Sequence, residues 1–261
     1  MSSDDRLSVA IKIATAAGDL AKNLRRQPGK LQAEAKGRLD FVTQADLATE
    51  ALIRSLLADA FPKDGVLGEE DGLDRDTDRF WIVDPIDGTT NYLRGMPHWA
   101  VSIAYFDGKA LTHGVIHAPD LGIIAAAELG KPALLNGGEV DLTAAEPAVA
   151  PIVTLGYSER TALPDYLTRI SRLTEAGVEH RRQGAATLEF IGILAGWVDA
   201  YHEESLNIWD AAAGIVLIKA AKGRVAHRPI CDFLQTPSEI LAENGHLQGL
   251  ETLLTGPADR S

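Results

Sequence analysis

Three short strings hold the acids from which catalysis could be built: Gly68-Glu69-Glu70, Asp84-Pro85-Ile86-Asp87-Gly88-Thr89-Thr90-Asn91 and Trp209-Asp210. In the longest, the apolar run Trp81-Ile82-Val83 reads as a strand that ends at Asp84. Pro85 disfavours helix at the residue before it and supplies no N–H, so a turn is expected there. Asp87 then lies near Asp84, and Gly88 lets the backbone approach a ligand closely. Gly88-Thr89-Thr90 can open a helical turn whose free N–H groups bind phosphate. Two carboxylates facing a phosphate repel it unless they hold a hard, oxygen-seeking cation such as Mg²⁺. Paired ions of that kind polarise a phosphate and acidify a water. Taken singly, each string also fits a solvated turn, or an acid complementing a helix dipole.

The elements that must position these residues are partly readable. Residues 7 to 26 have an amphipathic helical pattern, with Leu7, Ile11, Ala14 and Leu20 near one face, ending before Pro28-Gly29. Residues 44 to 60 predict a second helix, capped by Thr43 with Asp46 three residues on, and with Leu52, Ile53, Leu56, Leu57 and Ala60 inward. Short strands are expected from Phe80 to Val83, Trp99 to Phe106, Ala110 to His117 and Ile123 to Ala127, with Asp107-Gly108 as a hairpin turn. The stretch from Asn136 to Ala150 reads as a surface excursion and a boundary, dividing the chain into halves of residues 1–145 and 146–261. Beyond it, helices at 163–175, 186–195 and 207–221 alternate with extended runs at 178–183, 197–202, Arg224 to His227 and Ile240 to Ala242. The pattern alone supports a mixed α and β fold.

Composition narrows the classes. The chain has 261 residues, 46% of them hydrophobic, which excludes intrinsic disorder. Its net charge of −12 argues against broad binding to nucleic acid or anionic membranes. The apolar run from Ala211 to Ile218 is far short of the roughly 20 residues of a membrane span. An acidic N-terminus and a single cysteine, Cys231, lead to the expectation of a reducing cytoplasm.

Together and in order, Gly68-Glu69-Glu70, Asp84-Pro85-Ile86-Asp87-Gly88-Thr89-Thr90-Asn91 and Trp209-Asp210 resemble the inositol monophosphatase family of Mg²⁺-dependent, lithium-sensitive phosphatases, from about Lys36 to Gly223. The resemblance implies an α/β (α+β) fold, a layered α-β-α-β-α sandwich of the sugar-phosphatase type, with the site between the halves. It implies Glu69, Asp84 and the Ile86 carbonyl as ligands of a first metal, and Asp84, Asp87 and Asp210 as ligands of a second. Gly88 and Thr89 match the phosphate-binding turn. Asp46 matches an acid that accepts from the Thr89 hydroxyl, and Thr89 with Glu69 would activate the attacking water. Glu203 matches a ligand of substrate hydroxyls, and Gly184, Ala185 and Ala186 line the substrate pocket together with Asp87 and Asp210. A homodimer, a small phosphorylated substrate, and no requirement for membrane or nucleic acid complete the expectation.

Inositol 1-phosphate is the first substrate this implies. Histidinol phosphate, fructose 1,6-bisphosphate and 3′-phosphonucleotides are alternatives, as is a regulatory protein on the same fold, since some members bind transcription machinery. A phosphoenzyme of the Asp-x-Asp type is disfavoured because Pro85 and Ile86 separate the two acids. Lys36 matches a loop lysine, but its spacing to Asp46 is one residue short. Arg181-Arg182 could neutralise a second phosphate or carboxylate, or form a solvated pair. Glu70 and Asp71 read as solvated, the histidines as structural or solvent-facing apart from His202 beside Glu203, and Cys231 as non-catalytic.

Overall fold

The two N-terminal helices form for different reasons. Helix α1 (Arg6–Arg25) buries Ala10, Ile13, Ala14, Ala17, Gly18 and Ala21, while the larger Leu7, Ile11 and Leu20 are only half-buried. Small side chains occupy the seam because the helix lies close against its neighbours. Gly18 faces His117, and an added Cβ there would fall 2.7 Å from its Nδ1. Helix α2 (Gln44–Ala60) starts at the expected Thr43 cap, whose hydroxyl accepts from the Ala45 and Asp46 amides. Its buried face includes Ile53 and Leu57, and also Asp46, Thr49 and Glu50.

The computed structural model describes residues 6–27, 33–35, 41–144 and 146–255. Around α2 lie the antiparallel pair β1 (Ala33–Ala35) and β2 (Phe41–Thr43). Then follow β3 (Gly65–Gly68), β4 (Gly72–Leu73), β5 (Phe80–Asp87), α3 (Thr89–Leu93), β6 (Ala100–Phe106), β7 (Leu111–Ala118), β8 (Ile123–Glu128), β9 (Ala133–Leu135) and β10 (Gly138–Val140). The later part holds β11 (Ile152–Leu155), α4 (Leu163–Glu175), β12 (Glu179–Arg181), α5 (Ala186–Leu194), β13 (Ala200–Leu206), α6 (Ile208–Ala220), β14 (Arg224–Ala226), α7 (Ile230–Phe233), β15 (Ser238–Glu243) and α8 (Leu250–Thr255).

Two sheets organise these elements. The first has eight strands in the order β10-β9-β8-β7-β6-β5-β3-β4, and the second five in the order β12-β11-β13-β15-β14. Strand β5 alternates between the two faces of its sheet. Phe80 and Ile82 pack with α5 and α6, while Trp81 and Val83 pack with α1 and α2. Helices α5 and α6 also pack against β13, β14 and β15, and α4 and α8 cover the far side of the second sheet with Leu173, Leu250 and Leu254. The layers therefore run α-β-α-β-α, as the sequence resemblance implied. Helix α6 is apolar around its whole circumference because sheets flank it on both sides.

Within 136–144, the chain is more ordered than a surface excursion. Gly138–Val140 pairs with Ala133–Leu135 at the sheet edge, and the Leu142 amide donates to the Ala221 carbonyl at 2.9 Å. Buried Leu142 anchors this segment to the end of α6. Lys36 lies outside the described residues.

The central layer has no spare volume. A Cβ on Gly214 of α6 would stand 2.2 Å from Cδ2 of Phe190 on α5. Gly214→Ala is expected to lower stability by about 2 kcal/mol through overpacking, seen as a fall of roughly 5 °C in thermal midpoint. An unchanged midpoint would show that the two helices are not in contact there.

Candidate functional site

Parallel pairing of β3 with β5 places Gly68 beside Val83, so Glu69, just past the end of β3, stands beside Asp84 on β5. The strand does not end at Asp84 as expected; it continues to Asp87 through an irregularity. Asp84 pairs with Ser102 and Asp87 with Ala100, so β5 spends one residue more than β6 between these points. Residues three apart on a regular strand face opposite sides, and the extra residue of a bulge reverses that parity. Pro85 suits the bulge because no ladder N–H is needed. The Ile86 amide donates to Asp84 Oδ1 at 3.0 Å and fixes the carboxyl.

The chain then reverses at Gly88, whose φ of 87° is left-handed. A Cβ there would fall 2.9 Å from both the His98 carbonyl and the Ala185 side chain. Thr89 follows as the first residue of α3, with Oγ1 3.2 Å from Asp46 Oδ1 and 3.1 Å from the Ile86 carbonyl. Asp46 is held from its other side by the Thr43 amide at 2.9 Å and by the Thr43 hydroxyl. The capping box of α2 thus orients the acid that receives the Thr89 hydroxyl. Burial raises the Asp46 carboxyl, and these hydrogen bonds oppose the rise.

The other components come from the second half of the chain. Asp210 is the third residue of α6, and its Oδ2 accepts from the Asn207 amide at 3.2 Å. Ser102 on β6 donates to the Trp209 carbonyl at 3.2 Å, pinning the start of α6 to the first sheet. Asp87 Oδ2 accepts from the Thr187 amide at 2.6 Å and from the Thr187 hydroxyl. An acid of β5 therefore supplies the N-terminal cap that α5 does not draw from its own N-cap residue, Ala185. Glu203 lies within β13, at a second irregularity, where Glu203 pairs with Ile240 and Leu206 with Ser238. The Tyr201 hydroxyl donates to Glu203 Oε2 at 2.8 Å. His202 points to the opposite face, where its Nε2 meets Glu239 at 2.8 Å, which removes it from the site.

Asp84, Asp87, Asp210, Tyr201 and Asn207 line one cleft of about 590 Å³, with Asp46 and Thr187 behind its wall. Asp84, Asp87 and Asp210 can each aim a carboxylate oxygen so that all three lie within 4.8 Å of one another. Glu69, Ile86, Gly88, Thr89, Gly184, Ala185, Ala186 and Glu203 line the same cleft, and Glu69 stands outside that tight triad. Burial pushes Asp84 and Asp210 well above the usual carboxylate range. Repulsion from Glu69 and Asp87 adds to the rise at both. Glu203 and the neighbouring Glu189 are each pushed up to about 7, chiefly by burial. Converging hard oxygen donors that repel one another suit a divalent cation such as Mg²⁺, and the set fits it.

Several contributors were not visible in the sequence reading. Glu50 is fully buried; it accepts from the amides of Glu70 and Asp71 at 3.0 and 3.1 Å and from Arg54. Arg54 also donates to the carbonyls of Val66 and Gly72, so α2 grips the turn that carries Glu69. A Cβ on Gly68 would strike Glu50 Oε1 at 2.2 Å. Glu70 is half-buried rather than solvated, while Asp71 is exposed as expected. The available signal was polar Asp46 and Glu50 lying on the apolar stripe of α2. Thr187, Tyr201 and Glu189 carried no such local signal. Cys231 is exposed and does not line the cleft.

Without a cation, the folded site holds protons that the unfolded chain has released above its ordinary carboxylate values of 3.8 and 4.5. Stability of the cation-free protein therefore falls as pH rises from about 4 to about 7. Saturating Mg²⁺ opposes this most strongly at pH 8. Binding at a hundred times Kd adds about 2.7 kcal/mol, or roughly 5–10 °C in thermal midpoint. Thermal unfolding across pH, with chelator or with Mg²⁺, checks this. A midpoint that is level from pH 5 to pH 8 and indifferent to Mg²⁺ would contradict it.

The comparisons with known proteins agree with this geometry. Residues 2–256 match the model of the inositol monophosphatase family. An inositol-1-monophosphatase from Caulobacter vibrioides is 36% identical over 219 residues, covering 80% of this chain and 86% of that one. A protein of Xylella fastidiosa named Nus factor SuhB is 33% identical over 229 residues, covering 87% and 82%. The crystal structure of extragenic suppressor protein suhB from Bartonella henselae superposes with a TM-score of 0.86 at 33% identity, covering 95% and 98%. Fold, order of motifs and extent of match lead to one conclusion: this chain belongs to the inositol monophosphatase family.

Proposed function

We propose that the cleft hydrolyses a small polyol phosphate monoester with Mg²⁺, by direct attack of water, and that inositol 1-phosphate is the first ester to test. The observation that carries this reading is the acidic triad Asp84, Asp87 and Asp210 in one cleft with Thr89, whose hydroxyl lies 3.2 Å from Asp46. In this reading Glu69, Asp84 and the Ile86 carbonyl hold one ion, and Asp84, Asp87 and Asp210 the other. The ions supply charge neutralisation at the phosphate and an acidified water.

The chain's own residues supply the rest. With its hydroxyl hydrogen directed at Asp46, Thr89 offers its oxygen as an acceptor, so that Thr89 and Glu69 orient the attacking water and draw off its proton. The Gly88–Thr89 turn receives the phosphate. The water oxygen forms the new bond to phosphorus as the ester bond breaks; the proton drawn from the water returns to solvent, and the departing polyol oxygen takes one from solvent. Glu203, positioned by Tyr201, accepts from substrate hydroxyls, while Ala185 and Ala186 shape the apolar wall.

Related proteins named Nus factor SuhB favour a second reading, a regulatory binding role on the same fold. They lend no support to an expectation that nucleic acid plays no part. Among the described residues no helix is long and apolar enough to cross a membrane. The cytoplasm and a homodimer remain part of the proposal.

Phosphate release with and without Mg²⁺ separates the two readings. Asp84→Asn is expected to abolish turnover in protein with an unchanged circular dichroism spectrum. Thr89→Ala is expected to lower kcat by roughly 10²-fold, the scale of a lost acid–base element. Millimolar lithium is expected to inhibit. Near-native turnover by folded Asp84→Asn protein would defeat the metal reading.

Glu203→Gln tests the substrate wall. A site built to pair with a hydroxyl discriminates strongly against substrates that lack it. The substitution is therefore expected to lower kcat/KM for inositol 1-phosphate more than for 4-nitrophenyl phosphate. Equal losses on both esters would place Glu203 in the support of the metal site.

A further inference from the structure

Helix α3 carries Thr89 but cannot hold itself in place. It has 5 residues, too few to persist by its own hydrogen bonds, and its N-cap, Gly88, offers no side-chain cap. Its buried side chains, Asn91 and Tyr92, are its anchors. Asn91 donates from Nδ2 to the carbonyls of His98 at 2.7 Å and Gln183 at 2.8 Å, which ties α3 to the second half of the chain. The Tyr92 hydroxyl donates to the Ala21 carbonyl of α1 at 2.7 Å. Thr89 and Tyr92, at positions i and i+3, share a face of the helix.

Around Tyr92 the end of α1 builds a clamp. Arg25, the last residue of α1, sets its guanidinium 5.2 Å from the centre of the Tyr92 ring and 5.5 Å from that of Trp99. The two rings meet edge to face with centres 5.1 Å apart. The same guanidinium donates to the Met96 carbonyl at 3.3 Å and pairs with Asp120 Oδ2 on the loop after β7. Trp99 Nε1 donates to that same oxygen at 2.6 Å. Burial acts to raise the Asp120 carboxyl, but its bonds to Trp99 and Arg25 hold it below the usual range. A cation over aromatic rings, paired with a charged carboxylate, is a strong and directional contact. Tyr92, Met96 and Trp99 all belong to α3 or to the loop that follows it. Arg25, Asp120, Tyr92 and Trp99 all stand outside the lining of the cleft.

We propose that Arg25 and Asp120 are positioning residues for the Thr89 hydroxyl. They hold Tyr92 and Trp99, these fix α3, and α3 presents Thr89 to Asp46. Burial raises the Tyr92 phenol and the charge of Asp46 adds to the rise, so the clamped ring stands close to the acid that receives Thr89. The proposed metal ligands lie on other elements. Loss of the clamp therefore falls on the rate of the chemical step, where a small misplacement of an activating group is costly. This rests on the phosphatase reading above and adds to it what sets its Thr89.

Steady-state kinetics with Mg²⁺ and inositol 1-phosphate test it on the intact chain, on Arg25→Met and on Asp120→Asn, each well below its thermal midpoint. Asp120→Asn is nearly isosteric and serves if Arg25→Met does not fold. In each variant kcat is expected to fall about tenfold, with KM and the Mg²⁺ concentration for half-maximal rate changed by less than about twofold. Because the clamp acts through Thr89, the losses are coupled. In Thr89→Ala protein the same substitutions are expected to lower kcat by no more than about a further twofold. Hydrogen exchange over residues 88–95 is expected to quicken about tenfold in the variants, with α2 unchanged.

An unchanged kcat in folded variants would overturn the proposal and leave the phosphatase reading standing. So would a loss that appears only in KM, or one that multiplies fully with the loss from Thr89→Ala, since either would show the clamp acting elsewhere. Faster exchange throughout the chain with kcat kept would assign the clamp to general stability, and also overturn it. If the intact chain hydrolyses neither inositol 1-phosphate nor 4-nitrophenyl phosphate with Mg²⁺, the phosphatase reading fails. Hydrogen exchange then decides the clamp alone: quickening confined to α3 supports it, and an unchanged α3 overturns it.

Discussion

Like charges brought together out of water are the constraint on which this molecule is built. Asp84, Asp87 and Asp210 converge within 4.8 Å, and loss of water raises the carboxyl of each. Each ionised pair at that distance repels by roughly 3–4 kcal/mol at an effective dielectric near 20. The acids come from β5 and from α6, distant in sequence, so the fold must hold them in place against this repulsion. A bulge in β5 turns Asp84 and Asp87 toward one point. The start of α5 draws on Asp87 as its cap, and the start of α6 fixes Asp210. The sandwich of helices between two sheets supplies the rigidity, because α5 and α6 touch both sheets. A cation held there would convert the remaining repulsion into attraction, the chemistry that hard oxygen donors suit.

Around this centre the polar residues form connected supports. Thr43 caps α2, Asp46 is held by Thr43, and Thr89 is directed at Asp46. Glu50 and Arg54, one and two turns further along α2, hold the turn that carries Glu69. One helix face therefore controls both the hydroxyl and the glutamate nearest the proposed attacking water. On the facing wall Tyr201 sets Glu203, and the missing side chain of Gly156 leaves it room, since a Cβ there would lie 1.7 Å from Glu203 Oε2.

How much of this the sequence carried depends on the range of each interaction. The α2 cap and the hairpin at Asp107-Gly108 were legible because their determinants lie within four residues. Strand β5 was cut short at Asp84 because Pro85 signals a turn locally, and only pairing with β6 shows a bulge. The inward stripe of α1 was misjudged in favour of Leu7, Ile11 and Leu20, because side-chain size is a poor guide where helices approach closely. His202 is adjacent to Glu203 in sequence but faces away from it, since strand neighbours alternate. Thr187 lies a hundred residues from Asp87, and nothing local announces their bond. The acids of the three strings were recognisable through their order along the chain, and the structure gathers three of them into one cluster with Glu69 beside it.

The central claim is that Asp84, Asp87 and Asp210 share a cation. Its most direct measurement is an anomalous-scattering map from crystals grown with Mn²⁺ in place of Mg²⁺. The account predicts density within ligand distance of carboxylate oxygens from all three residues. A map without a peak there, at a Mn²⁺ concentration that supports phosphate release in solution, would contradict it.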